Sequence, residues 1–197
     1  MTFPYIPATM QVTSNTPQIV TRSLSGFEQR AQVSSQYFSF TGSYSNFTIA
    51  DSKRAMGAIM ANRGSFNTFA LTLPNDLRNT SSGYAGTVTN PTGAAAATSV
   101  TATVTHTSGT VPILRAGDLI KFSNHNKTYM VTADVNATST TVTINFFPGL
   151  RVAQTTAGSV TVNNVAPTVR LATDQFDVGL GNDLFGNFSI DFIEVVN

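Results

Sequence analysis

Apolar and polar residues alternate one by one along much of the chain, and this period of two predicts β-strands. The alternation is clearest in residues 38–41, 100–104, 142–146 and 188–192, where Phe, Val, Ile or Ala alternates with Ser, Thr, Asn or Asp. One face of each strand is apolar, so each is expected to be half-buried. Turn-forming pairs such as Pro148-Gly149 separate the strands.

One segment has the pattern of an α-helix instead. Residues 52–63 contain no Pro, and Gly64 follows them as a natural C-terminal stop. Thr48 or Asp51 is suited to cap the amino end, because both side chains accept hydrogen bonds from free backbone N–H groups. The apolar stripe predicted to pack on a sheet contains Ala55, Met56, Ile59 and Met60.

The distribution of strands predicts two domains. Residues 75–99 are rich in turn and loop residues, and a series of short strands follows them. After Val169 the longer, aromatic-rich strands of the first third return. The fold class is therefore expected to be mainly β: a β-sandwich of residues 1–83 plus 169–197 with one flanking α-helix, and an inserted small β-barrel of residues 84–168. Such an insertion costs little, because loop-closure entropy grows slowly with length.

Composition agrees with a β protein and excludes several functions. The 197 residues include 30 Thr, 18 Ser and 16 Asn but no Cys, and only 11% are charged. Without Cys there is no disulfide, thiolate zinc site or Cys nucleophile. The first seven residues lack the basic and apolar regions of a secretory signal, and no apolar run is long enough to span a membrane. We therefore expect folding in a reducing cytosol, without membrane contact.

Charge is distributed unevenly along the chain. Residues 171–197 carry five acidic and no basic side chains, whereas residues 1–78 and 79–170 each have a net charge of +3. The total of +1 is too small for a general nucleic-acid binder. The unequal segments are either solvated faces or complementary faces that meet between identical subunits.

No residue pattern predicts catalysis, a cofactor or a metal. His106 and His125 are the only imidazoles, and neither has a second ligand at metal-binding spacing. A G-x-S-x-G nucleophile elbow is absent, and Gly179-Leu180-Gly181 lacks the third glycine of a dinucleotide loop. The last acidic residues lack the spacing of a Ca²⁺ loop. We therefore predict no catalytic, cofactor-binding or metal-binding residues and no enzyme activity.

A binding module is the alternative that composition leaves open. Exposed Phe and Tyr side chains in β loops form platforms on which sugars stack. The absence of Trp, a preferred stacking residue, weighs against a lectin-like host-attachment module.

The order of several motifs resembles the tail structural proteins of tailed bacteriophages, of the distal-tail or baseplate-hub kind. The resemblance covers most of the chain, although its motifs are structural and loose. Its residues are Phe3-Pro-Tyr-Ile-Pro7, Ser23-Leu-Ser-Gly-Phe-Glu-Gln-Arg30, Phe66-Asn-Thr-Phe69, Arg115-Ala-Gly-Asp-Leu-Ile-Lys-Phe122, Lys127-Thr-Tyr-Met-Val-Thr-Ala-Asp134 and Pro148-Gly-Leu-Arg151.

The resemblance implies a tail-tube-like sandwich and a homo-oligomeric ring, most often a hexamer, at the distal tail between tube and tip. Its partners would be itself and the neighbouring tail-tube and tail-tip or baseplate proteins. It would be located in the virion tail after assembly in the host cytoplasm. DNA would pass through the lumen without specific binding. We expect some of Asp174, Asp177 and Asp183 to face that lumen or a basic neighbour, because an acidic lining does not retain phosphates.

Overall fold

The structure is a computed structural model that describes residues 5–32, 35–106, 108–174 and 186–196. The chain is mainly β and contains a closed barrel, which confirms the predicted fold class. In the described part of the chain the strands are β1 (Thr9–Asn15), β2 (Gln18–Arg22), β3 (Glu28–Gln32), β4 (Tyr37–Phe47), β5 (Phe69–Ala70), β6 (Val88–Thr92), β7 (Ser99–Val104), β8 (Val111–Leu114), β9 (Leu119–Phe122), β10 (Thr128–Val131), β11 (Val135–Ala137), β12 (Thr141–Phe147), β13 (Ser159–Thr161), β14 (Thr168–Leu171) and β15 (Gly186–Glu194). The helices there are α1 (Ile49–Ala61) and α2 (Asn75–Arg78).

Strands from both ends of the chain form one antiparallel sheet in the order β1-β4-β15-β14-β5. In its centre Phe40 of β4 lies opposite Phe192 of β15, and both side chains are fully buried. Directly opposite residues of an antiparallel pair share one face, so the alternating aromatic residues of β4 and β15 form a common core. Helix α1, the segment after β5 and the outer side of the barrel cover this face in a sandwich-like arrangement.

Helix α1 begins earlier than the sequence predicts. The backbone N–H of Asp51 donates to Thr48 Oγ1 at 3.2 Å, and that hydroxyl donates to Asp51 Oδ2 at 2.6 Å. Thr48 is thus the N-cap, and the helix covers Ile49–Ala61 rather than 52–63. Its carboxyl end is set by Asn62, whose backbone N–H reaches carbonyls of the last turn.

The buried stripe of α1 is narrower than predicted. Ala55 and Ile59 pack in the sheet core, as expected. Met60 is 63% exposed, so its assignment to the stripe is wrong. Each residue turns the helix by about 100°, and Met60 therefore points away from the surface that Ile59 contacts. A second short helix, α2, follows Pro74, where only loop structure was predicted.

Six strands close into a barrel in the order β10-β12-β7-β6-β13-β9. Ala102 of β7 lies opposite Val142 of β12, and both point into the barrel core. The alternating apolar residues of 100–104 and 142–146 are thus interior residues, as their period of two predicts. Outside the barrel, β8 pairs with β11, and β2 pairs with β3 as a separate hairpin.

One barrel strand lies where the sequence predicts a loop. Residues 90–93 have turn composition, yet β6 includes Asn90 and Pro91. The register of β6 against β7 shifts between Thr89 and Thr92, and Asn90 has a φ of 51°. A bulge of this kind tolerates both a left-handed Asn and a Pro without an N–H donor. Turn-type residues here mark a strand irregularity rather than the end of a strand.

Chain connections between sheet and barrel lie side by side. The backbone N–H of Thr80, on the way into the barrel, donates to Asn163 Oδ1 at 3.1 Å. On the way out, Val165 N–H donates to the Arg78 carbonyl at 2.9 Å. The predicted boundaries, 1–83 plus 169–197 for one domain and 84–168 for the other, remain a prediction about independent folding.

Candidate functional site

Of the residues that the sequence singles out, those in the described ranges each have separate hydrogen-bond partners. His106 is in a loop, with Nε2 2.8 Å from the Gly109 carbonyl oxygen. Asp174 accepts hydrogen bonds from the backbone N–H and hydroxyl of Ser65, and these bonds hold its pKa below the ordinary value. Asp177 and Asp183, and the Gly179-Leu180-Gly181 turn, are outside the described residues. Within the described ranges, no three His, Cys, Asp or Glu side chains are grouped so that they could hold a metal ion.

Neither of the helices in the described ranges is both long and apolar enough to cross a membrane.

A buried ion pair joins the barrel to the sheet. Lys127, directly before β10, donates from Nζ to Glu194 Oε2 of β15 at 2.5 Å. The two side chains are 2% and 0% exposed. Glu194 also accepts the backbone N–H groups of Thr128 at 2.7 Å and of Phe38 at 3.0 Å. One carboxylate therefore links a barrel strand to the two central strands of the sheet.

The buried surroundings of Lys127 make the loss of either member of this ion pair costly for stability. Burial lowers the pKa of the Lys127 ammonium, and the adjacent Glu194 carboxylate opposes that shift. The ammonium also lies 4.7 Å from the centre of the Phe38 ring, a cation–π contact. Removing one member would leave a charge in an apolar environment, which costs far more than the intact pair.

Further contacts extend the barrel–sheet junction around this pair. Lys121 Nζ of β9 donates to the Ala166 carbonyl at 3.3 Å and to Thr168 Oγ1 at 3.2 Å, next to β14. Leu119 and Met130 of the barrel pack in the core of the sheet rather than in that of the barrel. The junction thus combines apolar contact with directional polar bonds, which fix the orientation of one unit on the other.

His125 is in the predicted turn between β9 and β10, but it is not a free surface residue. Asn124 Oδ1 accepts from Gln154 Nε2 at 2.8 Å and lies 2.6 Å from His125 Nδ1, which is therefore the protonated nitrogen. Nε2 then accepts from the Tyr129 hydroxyl at 2.7 Å, and that hydroxyl accepts from the Arg151 backbone N–H at 3.0 Å. This chain of hydrogen bonds requires a neutral imidazole. Burial, and next the nearby positive charges of Lys121, Arg151 and Lys127, lower the pKa of His125.

The hairpin β2–β3 is the most exposed structure in the described chain. Its tip includes Leu24, which is fully exposed, and Phe27, which is 77% exposed. Glu28 forms an ion pair with Arg22 across the two strands and another with Arg30 on its own strand. These surface pairs contribute little to stability, and an isolated two-stranded hairpin is marginal in water. Such a structure becomes well ordered when another surface covers its apolar side chains.

A second apolar patch lies at the carboxyl end of α1. It consists of Met60, 63% exposed, and Phe66, 76% exposed. Ser65, the neighbour of Phe66, is held by Asp174, so the segment is anchored. The hairpin tip and this patch are different surfaces of one molecule.

One feature of the sequence, the position of Glu194, indicates a buried ion pair although composition does not reveal it. Glu194 follows Ile190 and Phe192 at the same period of two, which places it on the buried face of β15. A carboxylate at such a position predicts a buried basic partner. Nothing local identifies Lys127 as that partner, because 67 residues separate the two.

Mutation of Glu194 is expected to reduce the stability of the protein more than mutation of Lys127. Glu194→Gln leaves the buried Lys127 ammonium without a carboxylate, and we expect the free energy of unfolding to fall by about 3–5 kcal/mol. Lys127→Met should cost less, because Glu194 keeps two backbone N–H donors. Chemical denaturation measures both, with Arg115→Met, which breaks an exposed ion pair with Asp134, as a control expected to cost at most about 1 kcal/mol. A loss below about 1 kcal/mol for Glu194→Gln would contradict a buried pair.

The His125 network predicts a dependence of stability on pH. The unfolded chain binds a proton at the ordinary His pKa of about 6.5, whereas the folded pKa is lower. Between these two values the unfolded state holds more protons, so stability falls as the pH is reduced below about 6.5. We expect His125→Gln to flatten this dependence in denaturation curves measured from pH 7.5 to 5.5, while His106→Gln, the matched control, leaves it in place. Equal slopes in wild type and His125→Gln would refute the assignment.

Comparison with known proteins connects the barrel to a family. Residues 78–165 match the family model described as distal tail protein pb9, B domain. The matched segment contains all six barrel strands. A search of curated proteins found no match.

The match coincides with a structural unit, and it agrees with the resemblance that the motifs Arg115–Phe122 and Lys127–Asp134 carry. The remaining sheet contains the helix and the exposed hairpin, which a subunit of a larger assembly can use for contacts. The barrel unit is accordingly similar to the B domain of a phage distal tail protein, and this similarity supports a structural role in the virion tail.

Proposed function

We propose that the chain forms a homo-oligomeric ring at the distal end of the tail, at the baseplate hub between tail tube and tip. The ring order that the resemblance implies is six. The exposed β2–β3 hairpin is the observation that supports assembly most directly, because its apolar tip has no cover in the described chain. A structural role in the tail calls for contacts with neighbouring tail components rather than for catalysis.

The geometry favours a closed ring over a two-fold dimer. The hairpin tip and the Met60–Phe66 patch are both exposed and apolar but belong to different elements of the chain. If the tip of one copy packs on the patch of the next, each contact joins two different surfaces. Contacts of this heterologous type close into rings when the rotation allows it. The ring surfaces would lie in the sheet unit, and the barrel would face the neighbouring tail-tube or tail-tip proteins.

Passage of DNA through the lumen is part of this proposal. Asp174 is already bound to Ser65 within its own chain, which leaves its second carboxylate oxygen as the group that could face the lumen. An acidic lining of Asp174, Asp177 and Asp183 would repel phosphates and keep DNA mobile.

A carbohydrate-binding role is a second candidate. One observation favours it: a cleft beside the junction combines a basic side chain with an exposed aromatic ring. This candidate concerns a different surface from the hairpin, so the two functions are compatible.

The ring is tested in intact virions. In cryo-electron microscopy maps we expect this chain as a closed ring at the distal tail, with each hairpin tip on the α1 end of the next copy. The double variant Leu24→Ser and Phe27→Ser removes the apolar tip. It should reduce the yield of complete tails at least about tenfold, because fully exposed apolar side chains contribute to assembly rather than to folding of the subunit.

The control is Ile49→Ser, which removes a part-exposed apolar side chain at the opposite end of α1. It should leave tail yield near that of wild type. A map that shows isolated copies on a fibre or on the capsid would refute the ring. Normal tails from the hairpin variant would refute the assigned contact while leaving the ring possible.

We further propose that the sheet unit, 1–83 plus 169–197, folds without the barrel, 84–168. The adjacent chain crossings at Thr80 and Asn163 support this, since a short linker can bridge them. Replacing residues 84–163 by a Gly/Ser linker keeps Val165, which packs in the sheet core. We expect circular dichroism of a folded β protein with reduced stability, because Glu194 loses Lys127. A remainder unfolded under conditions where the full chain is folded would contradict two separable domains.

A further inference from the structure

A cleft of about 570 Å³ lies between barrel and sheet, next to the buried ion pair. One wall is the loop after β12, from Phe147 to Arg151, and the other is formed by Ser35, Gln36 and Val196. The barrel wall contains the Pro148–Arg151 motif, and the hairpin proposed for ring formation does not line the cleft. Its position between two units is typical of ligand sites.

The barrel wall of the cleft is rigidly built. Leu150 exchanges two backbone hydrogen bonds of 2.7 Å with Ala96 and Ala97. A side chain at Gly149 would place its Cβ 2.7 Å from the Ala96 carbonyl oxygen, so only glycine fits there. Arg151 N–H is held by the Tyr129 hydroxyl. The groups that this loop presents are therefore preorganised, which lowers the entropic cost of binding.

The opposite wall contains the buried side chain of Gln36. Gln36 is 1% exposed, and its Nε2 donates to Ser14 Oγ at 2.9 Å. Its Oε1 is enclosed but has no hydrogen-bond partner among the described residues. The bond to Ser14 holds Gln36 in place, so its side chain is a fixed part of this wall.

Positive charge at the cleft is not neutralised. Lys127 is compensated by Glu194. The Arg151 guanidinium is exposed, donates to Ser35 Oγ at 3.3 Å, and forms no ion pair in the described chain. Arg170 lines an adjoining hollow of about 530 Å³ together with Arg151 and Glu194, and its charge interacts with Asp174. An anionic ligand group is therefore favoured.

The rim adds an apolar surface. Phe147 is 42% exposed and precedes Pro148, and both line the cleft. An aromatic ring at the edge of a polar cleft suits a ligand whose C–H face packs on it while its polar groups reach inward.

We propose that this cleft binds an acidic sugar, of the uronic acid class. Its carboxylate would lie at Arg151, and the C–H face of the ring would pack on Phe147. Inorganic phosphate supplies only the anionic group, and a neutral sugar lacks it. The proposal deepens the second candidate function and does not depend on ring formation.

The test compares two probes that differ at one carbon, glucuronate and glucose. With the full chain, NMR titration should show saturable shifts for glucuronate around the cleft, with a dissociation constant of about 1–10 mM, and at least about tenfold weaker binding of glucose. Arg151→Gln should reduce glucuronate affinity to the level of glucose. Phe147→Ser should weaken both sugars. Arg54→Gln, an exposed arginine on α1, is the matched control and should change neither.

Four outcomes would overturn the proposal. These are no saturable shift at about 50 mM glucuronate, shifts unaffected by Arg151→Gln, inorganic phosphate binding as tightly as glucuronate, and a Glu-rich peptide that binds more tightly and displaces the sugar. Melting temperatures verify that each variant is folded. Tails assembled from the Arg151→Gln chain should still contain complete rings, so failure of sugar binding and failure of the ring are separate results.

Discussion

The buried Lys127–Glu194 pair is the interaction on which the arrangement of this molecule depends. The carboxylate is at the end of the last sheet strand, the ammonium is at the start of a barrel strand, and both are withdrawn from water. Such a pair adds little net stability compared with apolar packing, but it is costly to break. The pair therefore restricts how the sheet and the barrel can be oriented relative to each other. The sheet and the barrel can pack together in the orientation that lets Glu194 receive Lys127 and two backbone N–H groups, and other orientations leave charges unpaired.

A fixed junction has consequences for the surfaces on either side. The cleft beside it owes its shape to the loop from Phe147 to Arg151, which belongs to the barrel, and to Gln36, which leads into the sheet. Neither unit alone forms both walls. The hairpin β2–β3, by contrast, is exposed along its described side chains. In the proposed ring, the fixed junction would transmit the position of the sheet to the barrel, so both units of every copy would be held in the same orientation around a tail axis.

Several features were accessible from local patterns. The alternation in residues 100–104 and 142–146 predicts the interior of the barrel, and the cap at Thr48 and the Ala55–Ile59 stripe predict the helix. Each depends on the direction in which successive side chains point along a strand or helix, and residue spacing in the sequence determines that direction. The strand β6 was missed because Asn90 and Pro91 favour turns, and only pairing with β7 through a bulge makes a strand of them. Met60 was assigned to the core because spacing alone does not tell how wide a contact surface is.

By itself, the sequence determined the mainly β class, the single long helix, the insertion of a barrel-like unit and the resemblance to phage tail proteins. These follow from short-range periodicity and from motifs within single segments. Tertiary structure alone decided which charges are paired, that His125 is the centre of a hydrogen-bond chain, and that Gln36 meets Arg151 across a cleft. Those contacts join residues up to 156 positions apart, as for Phe38 and Glu194. Burial and the energy of a charge depend on what the folded chain brings beside it, and no local pattern contains that information.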